Sequence, residues 1–106
     1  MSTVGARVLA RWEADWFYPG VVVNVQGSDC EIQFDDGDRG TAPSADVRPI
    51  NLQVGQRVYG NWTGGGAYYP GKISEIIGFA LKISYDDGDK ETTTLNMCRF
   101  HRDDVD

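Results

Sequence analysis

Phe34-Asp35-Asp36-Gly37-Asp38 returns as Tyr85-Asp86-Asp87-Gly88-Asp89. An aromatic followed by Asp-Asp-Gly-Asp, used twice in 106 residues, marks an internal duplication at an offset of 51. Working outward from the two copies, most of the chain aligns with itself. Val4-Gly5 with Arg7-Val8 answers Val54-Gly55 with Arg57-Val58, and Trp12 answers Trp62. Tyr18-Pro19-Gly20 answers Tyr69-Pro70-Gly71. The offset grows from 50 to 51 between the tryptophan and the Tyr-Pro-Gly, so the loop between them is one residue longer in the second copy.

Apolar residues around each copy recur with a period of two. Val8, Ala10 and Trp12 alternate with Arg7, Leu9 and Arg11, as Cys30, Ile32 and Phe34 do with Glu31 and Gln33. Leu81, Ile83 and Tyr85 repeat the pattern, and Thr92-Thr93-Thr94 is β-branched throughout. Asp-Gly between two such runs signals a hairpin, read here as a type I′ turn. Pro19-Gly20 and Pro70-Gly71 read as turns that open the next strand. Each repeat therefore predicts about five short strands, near 6–12, 20–26, 29–34, 39–42 and 47–49, then 56–62, 71–77, 80–85, 90–94 and 97–100. Five short, strongly bent strands close into a barrel to remove their edges. Units of about 50 residues bury little apolar surface alone, so the two are expected to pack together. The organisation expected is 1–51, 52–102 and a charged tail at 103–106.

Composition narrows the chemistry. The net charge is −6 and the sequence pI about 4.6, which favours a basic partner and argues against duplex nucleic acid, whose binding relies on Lys and Arg. No apolar run reaches the length of a membrane span. The N-terminus lacks the apolar core of a signal peptide, so an intracellular protein is expected. Cys30 and Cys98 occupy positions that do not correspond between the repeats, and they read as buried thiols rather than a disulfide. The one histidine, His101, lies near the end, and no serine or cysteine has a base nearby, so an enzyme is not expected. The aspartates lack the alternation of an EF-hand loop, and no metal or other cofactor is expected. Gly64-Gly65-Gly66 lacks the Gly-Lys-Ser/Thr ending of a phosphate loop.

Three aromatics per repeat fall at strand ends: Trp12, Tyr18 and Phe34, then Trp62, Tyr69 and Tyr85. Asp36 and Asp87 follow two places beyond the third. Aromatic faces beside a carboxylate suit a bulky, poorly hydrated cation, at about 0.5–2 kcal/mol per face. The same rings are also what a small barrel needs for its core. Trp16 has no aromatic counterpart in the second copy and reads as an extra ligand wall or a plug between the repeats.

The set Val-Gly-x-Arg-Val, Trp, Tyr-Pro-Gly and Phe-x-Asp-Gly resembles the Tudor domain, within the wider group of methyl-reading barrels that includes Agenet modules. Residues 4–100 as a whole are similar to a tandem Tudor protein. The resemblance implies an all-β fold of two tandem SH3-like five-stranded barrels packed against each other. It implies binding of methylated lysine or arginine in a basic peptide or protein tail, histone tails among them, which is a nuclear role in a eukaryote. The cage residues it implies are Trp12, Tyr18, Phe34 and Asp36, and Trp62, Tyr69, Tyr85 and Asp87. Many such cages carry a further aromatic just after the Asp-Asp-Gly; here that position is Asp38 or Asp89. Two rival readings are an assembly module with the same fold and no methyl dependence, and single-strand nucleic-acid binding by stacking. The acidic balance counts against the second.

Overall fold

Apolar alternation becomes ten antiparallel strands in the computed structural model, which describes residues 3–13, 15–62, 65–78 and 80–105. The first repeat supplies β1 (Arg7–Glu13), β2 (Trp16–Gln26), β3 (Asp29–Phe34), β4 (Arg39–Pro43) and β5 (Val47–Pro49). The second supplies β6 (Arg57–Asn61), β7 (Tyr68–Ile77), β8 (Ala80–Tyr85), β9 (Lys90–Thr94) and β10 (Cys98–His101). Both follow one pairing scheme, β5-β1-β2-β3-β4 and β10-β6-β7-β8-β9. One turn of 3-10 helix, Ser44–Asp46 or Leu95–Met97, redirects the chain into the fifth strand. The long second strand shifts register at the same place in each copy, between Val22 and Asn24 and between Ile73 and Glu75. Such bulges bend the strand and let each unit curl.

Two expectations about local structure are corrected. Pro19-Gly20 and Pro70-Gly71 lie inside β2 and β7, with Pro19 opposite Leu9 and Pro70 opposite Tyr59. The glycine serves close packing there: a Cβ on Gly20 would stand 2.7 Å from Ile32 Cγ2, and one on Gly71 2.8 Å from Ile83 Cγ2. The Asp-Asp-Gly turn is also not centred on Asp-Gly. Gly37 N–H donates to the Phe34 carbonyl and Gly88 N–H to the Tyr85 carbonyl, both at 3.0 Å, so two aspartates occupy the centre. Gly37 (φ 98°) and Gly88 (φ 97°) follow in the left-handed region. This is the three-residue hairpin, in which one glycine takes up the strain.

The tandem all-β architecture of five-strand units stands, but the closure of each into its own barrel does not. β10 has four residues; Cys98 and Arg99 pair with Gly60 and Tyr59 of β6, while Phe100 and His101 pair with Phe17 and Trp16 of β2. No length is left to meet β9. The ten strands form one antiparallel sheet ordered β4-β3-β2-β10-β6-β7-β8-β9, with β1 and β5 attached through β2.

Burial follows this sharing. One core holds Val8, Ala10, Val22, Ile32 and Phe34 of the first repeat. The other gathers Val58, Ile73, Leu81, Ile83, Tyr85 and Phe100, and also takes Leu9 and Phe17 from the first repeat. Cys30 and Cys98 are buried free thiols. Desolvation, with Glu91 nearby, pushes the Cys98 thiol up to about 12. No helix among the described residues is long and apolar enough to cross a membrane.

Candidate functional site

Five of the residues singled out in the sequence wall one cavity of about 230 Å³: Trp62, Tyr69, Tyr85, Asp87 and Asp89. β6 leads into Trp62, β7 carries Tyr69, β8 ends at Tyr85, and the hairpin before β9 supplies both aspartates. The Trp62 and Tyr85 rings meet edge to face, with centroids 5.3 Å apart and an interplanar angle of 88°. Tyr85 is 4% exposed, whereas Tyr69 is 48% exposed and forms the outer wall. The Tyr85 hydroxyl donates to Glu91 Oε1 at 2.8 Å, which fixes the ring. Burial first and that bond second raise the Tyr85 pKa, so the hydroxyl stays neutral.

The hairpin holds its acids by repeated contacts. Asp86 is gripped by Arg57, whose Nη1 lies 2.9 and 2.8 Å from the two carboxylate oxygens, as Arg7 Nη2 holds Asp35 Oδ2 at 2.8 Å. Asp87 Oδ1 accepts from Asp89 N–H at 3.0 Å, as Asp36 Oδ1 does from Asp38 N–H. Asp87 and Asp89 both line the cavity, and Asp87 Oδ2 and the Asp89 carboxylate have no hydrogen bond or ion pair among the described residues. The site is aromatic on one side and anionic on the other.

The corresponding residues of the first repeat do not enclose such a space. Trp12 lies against Gly40, where a Cβ would overlap its ring, and meets Phe34 edge to face at 5.0 Å. Phe34 is 4% exposed, Asp36 and Asp38 are exposed, and Trp12 is 43% exposed. The hollow among Tyr18, Phe34, Asp36 and Tyr68 holds about 10 Å³, no more than a single water needs. The difference follows from sequence. Glu91 stands where the first repeat has Gly40, the glycine that Trp12 lies against.

Tyr18 is engaged elsewhere. Arg99 Nη1 donates to its hydroxyl at 2.8 Å. The Arg99 guanidinium carbon stands 4.0 Å from the Trp16 ring centroid, 4.4 Å from that of Tyr68 and 6.0 Å from that of Tyr18. Trp16 also meets Tyr59 at 4.8 Å and His101 at 5.3 Å. Trp16 therefore lies between the repeats, packed on residues of the second.

Comparison with known proteins bears on this geometry. A family described as "DNA repair protein Crb2 Tudor domain" matches residues 4–50 by sequence. The crystal structure of the Crb2 tandem Tudor domains superposes with a TM-score of 0.69 at 18% identity, over 98% of this chain and 84% of that one. The chain folds as a tandem Tudor protein. Two further structures also align, the AGD34 region of Arabidopsis thaliana AGDP1 (TM-score 0.45, 15% identity, 95% and 83% coverage) and tandem Agenet domain 3-4 of ADCP1 (0.44, 15%, 95% and 81%). No curated protein matches the sequence significantly. Within the tandem Tudor fold, sequence reasoning missed Tyr68, Glu91 and Arg99. Internal alignment carries a signal for the last, because Arg99 answers Arg48, whose guanidinium carbon lies 5.7 Å from the Phe17 ring centroid.

Proposed function

We propose that this chain is a non-catalytic binding module that takes a methylated lysine or arginine of a basic peptide into the cavity of the second repeat. The observation that carries the reading is that cavity, with three aromatic walls and two carboxylates around about 230 Å³. Methylation swells a cationic head and strips its hydration, so transfer from water to ring faces costs little and gains cation–π attraction. Asp87 adds charge complementarity and accepts from the N–H that partial methylation leaves in place. The excess of acid over base steers a basic tail, histone-like in composition, toward the site. Such a partner would place the protein in the nucleus of a eukaryote.

Calorimetric titration with peptides carrying unmodified, mono-, di- and trimethylated lysine, and methylated arginine, tests this. Binding is expected for methylated peptides only, to fall about tenfold or more in Trp62→Ala, and to persist in Trp12→Ala. Equal affinity for modified and unmodified peptides would instead establish an assembly module with no methyl dependence.

A further inference from the structure

β9 is the last strand of the sheet, and among the described residues only β8 pairs with it. Tyr85 N–H donates to the Asp89 carbonyl at 2.8 Å. Antiparallel alternation then turns the backbone groups of Glu91 and Thr93 toward β8 and those of Lys90 and Thr92 outward. Lys90, Thr92 and Thr94 are exposed. The opposite edge, β4, is blunted by its terminal Pro43 and by Trp12 lying over Gly40. β9 ends in three threonines and has no proline, so it remains competent to pair.

This open edge joins two hollows. It begins beside Asp89 on the wall of the aromatic cavity. It ends at Thr94 and Leu95, which line a larger cavity of about 600 Å³ with Ile50, Leu52 and Leu81, bordered by Arg7 and Asp35. Tyr85 on the first cavity and Leu81 on the second lie on one face of β8, four residues and about 13 Å apart.

We propose that the methylated peptide docks as an added strand along β9. Its methylated side chain enters the aromatic cavity, and a large apolar side chain four residues away enters the Ile50, Leu52, Leu81 and Leu95 hollow. The partner is thus an extended, basic peptide with an aliphatic anchor at a fixed distance from the mark. Main-chain bonds to Lys90 and Thr92 supply affinity, and the two hollows, on one face, supply register. Asp87 and Asp89 at the aromatic end complement its charge. This inference rests on the reading of the second-repeat cavity as a methyl site.

The test uses the full chain and a short Arg/Ser/Ala peptide with one dimethyllysine and a single leucine scanned from two to seven positions away on either side. Affinity is expected to peak with leucine four positions from the mark on one side only, by about tenfold, the scale of one largely buried leucine. Thr92→Pro removes an outward N–H and is expected to erase that gain while leaving binding of N-acetyl-dimethyllysine amide unchanged. Methylating alternate backbone amides of the peptide erases it with no change to the protein. A flat leucine scan, or a gain that survives both changes while Trp62→Ala abolishes binding, overturns the docked strand and leaves the methyl site standing. If neither the amide nor any methylated peptide binds the folded chain, the methyl reading fails and the docked strand with it.

Discussion

Gly60 and Tyr85 form a matched pair whose counterparts are Ala10 and Phe34. A Cβ on Gly60 would overlap the Tyr85 hydroxyl, whereas Phe34 has no hydroxyl and tolerates Ala10. Gly60→Ala is expected to cost about 1–3 kcal/mol by overpacking. Gly60→Ala with Tyr85→Phe, the first repeat's combination, recovers most of that loss, and a double-mutant cycle in urea measures the coupling. Cys98 sets a pH dependence. Its thiol is neutral in the folded chain up to about 12, against an ordinary value of 9.0. The unfolded chain therefore releases this proton first, and stability falls as pH rises from about 9 through 12. Cys98→Val, which installs the residue of the corresponding position Val47, is expected to flatten the decline in melting temperature between pH 8 and 11. Residue identities at the second-repeat cavity were legible because the duplication and the family motif coincide there. What closes the first was not, since it depends on Gly40 of β4 facing Trp12 of β1, two strands that do not pair, a contact no local pattern announces.

At the scale of elements, β10 reinforces its backbone bridge between the repeats with one side chain. Arg99 is clasped by Trp16 and Tyr68, and its buried Nε has no hydrogen-bond partner among the described residues. Stacking and the bond to Tyr18 offset that cost. Arg99→Ala is expected to destabilise the chain by about 2–3 kcal/mol, from two cation–π contacts, one hydrogen bond and lost packing. Arg99→Lys recovers less than half, because an ammonium lacks the planar face that stacks between rings. Guanidinium denaturation followed by tryptophan emission reads both. Strand identities were legible from alternation, and all ten fall close to their expected places. The turns were less so: Asp-Gly suggested the wrong centre because the preceding aspartate accepts the central role equally well, and Pro-Gly reads as punctuation unless a neighbouring strand needs its missing Cβ.

For the whole molecule, the sequence announces two equivalent units, and the structure makes them unequal. One contrast lies in the fifth strand, which carries Pro49 in the first repeat and Phe100 in the second. Proline has no N–H, so β5 cannot bridge as β10 does. Because Leu9 and Phe17 complete the second core, residues 52–106 alone are expected to lack a cooperative thermal transition, and adding residues 1–51 in trans restores it. Calorimetry of the halves and their mixture checks this. The bridge also has a consequence in time. Translation delivers Trp16 and Phe17 more than eighty residues before the strand that covers them, residues 98–101. A nascent chain therefore shows an aromatic, hydrogen-bond-hungry flank until residues 98–101 emerge. Chaperone capture of stalled nascent chains should peak before residue 98 and end once His101 has cleared the exit tunnel.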